Sequence, residues 1–168
     1  FQDYSAEQVE QGLWCMMGHV HDHAFCGLIW SPAIPLTERL RVVSSIFTLY
    51  DQVLSSYPYE SIDFEHPDTD PRRYRTIDYM APDLLLKSPW FADPDQADAA
   101  QVQAGFLSLF TRLQDHQAPV AQYAALHGLG HLEHEGRAAV IDRYLATHVW
   151  LDAAQREYAE AARRGDVL

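Results

Sequence analysis

The sequence predicts an all-α fold of antiparallel helix pairs stacked as a short α-solenoid, with a single helical bundle as the alternative. Three observations predict it. Apolar residues recur at spacings of three and four along most of the chain, helix-start and helix-stop signals bracket those runs, and no pair of alternating runs flanks a hairpin turn. The 168 residues, 48% of them hydrophobic, suffice for one sizeable core, so a single domain over 1–168 is expected.

Ser5 followed by Gln8 is a capping box, and Val9, Leu13, Met16, Met17, Val20, Ala24 and Leu28 extend it as an apolar stripe. A first helix over about residues 6 to 27 follows. Thr37 is placed to cap a second helix over about 37 to 56, whose stripe is Leu40, Val43, Phe47, Tyr50 and Leu54. Residues 57 to 75 hold three prolines and five acidic side chains without a sustained period, and read as a long surface loop. Arg72, Arg73 and Arg75 beside Asp68 and Asp70 make that loop charge-dense and solvated. "TIDYMAPDLLLKSPWF" is expected to form a short helix broken at Pro82 and Pro89, anchored by Tyr79, Met80, Leu84, Leu85, Trp90 and Phe91.

Asp93, Pro94 and Gln96 supply a further start signal, ahead of a core face of Val102, Phe106, Leu109 and Leu113. Helices are then expected from Pro119 to about His134, from Arg137 to Ala146 and from Ala153 to Arg163. Asp152 and Gln155 box the last of these, and Gly165 ends it.

Lys and Arg number 12 against 24 Asp and Glu, and the formal charge of −12 argues against binding nucleic acid, which needs clustered cations. A basic protein partner, a cation or a neutral ligand suits this field. No apolar run approaches the roughly eighteen residues that span a bilayer, and residues 1 to 30 lack a signal-peptide pattern. A cytoplasmic protein is expected; numbering from Phe1 leaves a removed leader open. On one helix, Cys15 and Cys26 would lie about 16 Å apart, so two reduced thiols are expected.

The stretch "LHGLGHLEHEGR" concentrates the chemistry. On a helix His127, His131 and His134 fall within roughly 60° of one another, away from Ala125, Leu129 and Leu132. Cys15, His19, Asp22 and Cys26 repeat this pattern on the first helix, whereas His21 and His23 lie off its centre. Imidazole, thiolate and carboxylate are the donors that zinc and related transition metals take. A full site would need pairs from two helices, such as His127 and His131 with His19 and Cys15 or Asp22. "HGLGH" has the histidine spacing of zinc hydrolases, but Gly128 stands where their general-base Glu follows the first His.

The glycines point another way. Two glycines in one helical turn cost about 1 kcal/mol each against alanine, and close approach of a neighbouring segment is the usual compensation. Histidines at such a contact are then packing residues that hydrogen-bond across it. Trp14, Trp30, Trp90 and Trp150 sit mostly near helix ends, as core anchors or, for Trp14 above all, as part of a binding surface.

The stretch "YAALHGLGHLEHEGRAAVIDRYLATH", followed by "REYAEAARRGDVL", resembles the C-terminal part of uncharacterised bacterial helical-repeat proteins carrying an "ALHGLGH" segment. This resemblance implies a HEAT-like or Armadillo-like architecture, and no catalytic residues.

With no nucleophile elbow, phosphate-cradling loop or paired-carboxylate signature, the expected function is non-catalytic protein binding. An immunity or antitoxin-type protein for a basic partner is one version, with Trp14, His127, His131 and His134 as its candidate contacts and no cofactor. The alternative is a metal-binding protein or metal-dependent hydrolase that takes zinc or another transition metal on His127, His131, His19, Cys15 and Asp22. A second alternative is a helical small-ligand pocket beside Trp14, Met16 and Met17.

Overall fold

Local hydrogen-bonded boxes start the first and last helices. The computed structural model describes residues 4–17, 25–56, 77–86 and 97–167. Ser5 and Gln8 exchange bonds of 2.9 and 3.2 Å ahead of α1, Ala6–Met17. Asp152 and Gln155 do the same at 2.8 and 3.1 Å ahead of α8, Ala153–Arg164. Gly165, at φ 82°, ends α8 in the left-handed conformation that glycine adopts without a Cβ penalty.

α2 is a separate helix, Phe25–Trp30, and the single helix expected over 6 to 27 is overturned. Cys26 Sγ donates to the Met17 carbonyl oxygen at 3.2 Å across nine residues, which one straight helix would hold about 13 Å apart. The stripe shared by Cys15 and Cys26 goes with it, since Cys15 is exposed and Cys26 buried. Neither cysteine is in a disulfide, as expected. Val9, Leu13 and Met17 enter the core, while Met16 is 57% exposed and Leu28 51%.

α3 runs over Leu36–Gln52 and is followed by a 3-10 turn at Leu54–Ser56. It begins after Pro35, whose carbonyl takes the Glu38 and Arg39 amides, so Thr37 lies inside the first turn and is not the cap. Val43, Ile46 and Tyr50 are buried, and so is Arg39. Its guanidinium donates to the Ile34 carbonyl oxygen at 2.9 Å and pairs with Asp98.

α4, Ile77–Leu86, runs through Pro82 where a break was expected. Proline lacks the amide that would bond the carbonyl four residues back, which is that of Asp78. The Tyr50 hydroxyl donates to that carbonyl oxygen at 2.6 Å, supplying from α3 what the proline removes. Burial raises the Tyr50 pKa well above its ordinary value, with the charge of Asp78 adding to it, so the hydroxyl stays a donor. Glu10 of α1 accepts from the Ile77 amide at 3.3 Å, and Trp30 of α2 donates to the Leu85 carbonyl oxygen at 2.8 Å. Three earlier helices thus fix the start, middle and end of α4.

α5 is Ala99–Gln114, with Ala97 and Asp98 in a turn ahead of it. The start signal at Asp93, Pro94 and Gln96 lies outside the described residues, as do the loop at 57 to 75, Trp90 and Phe91. Val102, Phe106, Leu109 and Leu113 are buried as expected. α6 is Pro119–His131 and α7 is Arg137–Thr147.

Each helix from α2 onward packs against the next but one: α2, α4, α6 and α8 follow one another, as do α3, α5 and α7. Contacts of α2 with α3, α5 with α6 and α7 with α8 join the two rows. The fold is all-α, with no strand among the described residues. Also among the described residues, no helix is long and apolar enough to cross a membrane.

Candidate metal centre

α6 carries mostly apolar and small residues, and Val120, Ala121 and every residue from Ala124 to Gly130 are buried. A Cβ on Gly128 would stand 2.3 Å from Cζ of Phe110 on α5, and one on Gly130 would stand 2.3 Å from Cγ2 of Val167 beyond α8. The glycines therefore serve close approach, on two sides of one helix. That approach leaves the third side of α6, with Tyr123, His127 and His131 four residues apart, against α4 and α8.

α4 presents Tyr79 and Asp83, also four apart, to this side, and α8 presents Tyr158. One donor atom each from Asp83, His127 and His131 lies within 4.8 Å of the others. His131 Nε2 is 3.6 Å from Asp83 Oδ1, and the two histidine rings meet edge to face at 4.6 Å. Asp83 Oδ1 and both histidine Nε2 atoms are shut away from solvent. Around an ion with bonds of about 2.1 Å, donors stand roughly 3 to 3.5 Å apart, so a gap of 4.8 Å must contract by about 1.3 to 1.8 Å. Two imidazoles and one carboxylate on one side of a centre are a donor set for zinc, iron(II), nickel or copper.

A search against known protein families, curated proteins and solved structures finds no match to this chain.

An aromatic wall backs the centre. The Tyr79 ring lies 4.0 Å from that of His127, and Tyr158 stacks on Tyr123 at 4.8 Å with 14° between planes. The Tyr158 hydroxyl is 3.1 Å from His127 Nδ1 and 3.1 Å from the Tyr79 hydroxyl, to which it donates. Burial raises the Tyr79 pKa above the ordinary tyrosine value; the bond from Tyr158 offsets part of this and the charge of Asp83 adds to it.

Of the residues singled out in the sequence, His127 and His131 come together and His134 does not. α6 ends at His131 with an extended Leu132, so His134 leaves the shared face. It lies in the turn before α7, where its Nδ1 accepts from the Gly136 amide at 3.0 Å. The expected helix to His134 is shorter by this turn. Cys15 is exposed on α1 and is not among the clustered donors. His19, Asp22, His21 and His23 lie outside the described residues. Trp14 is half-buried against the core, with Met17 buried and its neighbour Met16 exposed. Asp83 and Tyr158 were not singled out. The available signal for Asp83 was a lone carboxylate within the apolar run "MAPDLLL".

Proposed function

We propose that this protein binds one divalent transition-metal ion through Asp83, His127 and His131. The observation that carries the reading is the convergence of three donor atoms, from α4 and α6, within 4.8 Å. A buried ion-pair contact between His131 and Asp83 accounts for two of these groups, and His127 brings a third donor beside them. One carboxylate charge against a divalent ion leaves the centre net positive, so a water, hydroxide or small anion would complete its shell. The sequence gives no general base in the zinc-hydrolase position, so the reading stops at binding and does not extend to hydrolysis.

The full chain, purified without an affinity tag, stripped and reloaded with zinc, is expected to retain close to one equivalent per chain. Asp83→Asn and His131→Ala should each weaken binding by more than about 100-fold, because loss of outer partners alone already costs about 10- to 100-fold. Retention below about a tenth of an equivalent by the folded, reloaded protein excludes a tight site.

A second reading, docking of a basic protein partner, is favoured by an exposed apolar tip between α7 and α8. Val149 and Trp150 are 74% and 72% exposed, and Trp150 rests on His148, which stacks on Tyr144 at 4.0 Å. An aromatic held in place and facing water is a common binding anchor, and the charge of −12 selects for a basic surface. The two rows of helices suit a short HEAT-like α-solenoid, an architecture that presents such surfaces. If this reading holds, Trp150→Ala removes a basic protein recovered with the wild-type chain and leaves the unfolding midpoint in place. Equal recovery by both chains rejects it.

A further inference from the structure

A metal-binding histidine must offer a bare nitrogen lone pair, and which of its two nitrogens is bare depends on the hydrogen bond made by the other. For His127 that other bond is visible. Its Nδ1 lies 3.1 Å from the Tyr158 hydroxyl and its Nε2 is shut away from solvent, so Nε2 is the nitrogen left to serve with Asp83 and His131. A tyrosine hydroxyl has one proton to give, and Tyr158 directs it to the Tyr79 hydroxyl at 3.1 Å. Toward His127 it therefore offers a lone pair, which is satisfied only if Nδ1 carries the hydrogen.

We infer that Tyr158 is a positioning residue of the metal centre: its hydroxyl, committed to Tyr79, holds the proton of His127 on Nδ1 and so presents Nε2 to the ion. The inference rests on the metal reading above and gives the last helix a part in it. The opposite tautomer would aim an N–H at the place the ion must take. Tyr158 is itself held by its stack on Tyr123, four residues before His127 on α6. Tyr79 stands four residues before Asp83 on α4. The chain Tyr79, Tyr158, His127 thus links the helices that supply the carboxylate and the imidazoles through a third that supplies no ligand.

The test uses the full chain labelled with ¹⁵N-histidine, with the His127 resonance assigned from a His127→Gln variant. In the metal-free wild-type protein His127 is expected as the neutral Nδ1–H tautomer. In Tyr158→Phe the Nε2–H form should appear, and zinc or cobalt(II) affinity should fall by about 10- to 100-fold with helix content unchanged. Tyr79→Phe is the second variant. It leaves Tyr158 in place but frees its proton to turn toward His127, so a partial move to the Nε2–H form is expected there too. If Tyr158→Phe does not fold, the Tyr79→Phe spectrum decides. Wild-type tautomer in the folded variants overturns the inference, even where the wild-type protein binds zinc normally and the metal reading stands. A wild-type protein that shows the Nδ1–H tautomer but takes up neither metal sinks the metal reading and, with it, the role assigned to Tyr158.

Discussion

Replacing Arg39 with alanine is expected to cost about 3 to 5 kcal/mol of stability, the range for breaking a buried pair by removing one partner. Arg39 is 2% exposed, and its guanidinium meets the Ile34 carbonyl oxygen as well as Asp98. Asp98 occupies the N-cap position of α5, yet its side chain caps nothing there; it turns to Arg39. One cation therefore holds the segment between α2 and α3 to the start of α5, and its loss takes that charge from a carboxylate only 26% exposed. The double variant Arg39→Met with Asp98→Asn should recover part of the loss, because it removes both charges and restores apolar volume. Chemical denaturation reads both outcomes. A cost below about 1 kcal/mol for Arg39→Ala would place the pair among weak surface bridges and refute this account.

Gly128→Ala is expected to destabilise by on the order of 2 kcal/mol, although alanine is the better helix former by about 1 kcal/mol. The added carbon would fall 2.3 to 2.8 Å from three ring atoms of Phe110. That ring has nowhere to go, since it packs on Phe106 at 5.9 Å, which packs on Trp30 at 6.1 Å, and all three are buried. Phe110→Leu should suppress the penalty, giving a favourable coupling when the two changes are combined and thermal or denaturant unfolding is followed. A Gly128→Ala protein as stable as the wild type would show that α5 and α6 yield where they are drawn close.

Local signals in the sequence were legible where local forces decide. The boxes at Ser5 and at Asp152, and the turn at Gly165, each involve atoms a few residues apart and appear where the pattern puts them. The first helix was misread because an apolar stripe at helical spacing does not reveal a contact such as that of Cys26 with Met17, which one straight helix cannot make. Pro82 was misread for a related reason: its cost inside a helix is met by Tyr50, a donor from another helix that no local rule can anticipate. Arg39 is paired with Asp98, 59 residues away, a contact that spacing within α3 does not disclose. At the candidate centre, His127 and His131 share a helix and so were found from spacing, whereas Asp83 is brought to them only by the packing of α4 on α6.

The hydroxyl bond across Pro82 has one more effect. An ordinary helix keeps its carbonyls occupied internally and is free to slide along a neighbour by small adjustments of side chains. Here one rung of the α4 ladder is completed by α3, so a slip of a single residue, about 1.5 Å, would cost a part-buried carbonyl this bond. Asp83 directly follows that proline. Its height opposite His131 is thus indexed by a tyrosine of α3, and the missing amide acts as a keyway that sets the axial register of the carboxylate.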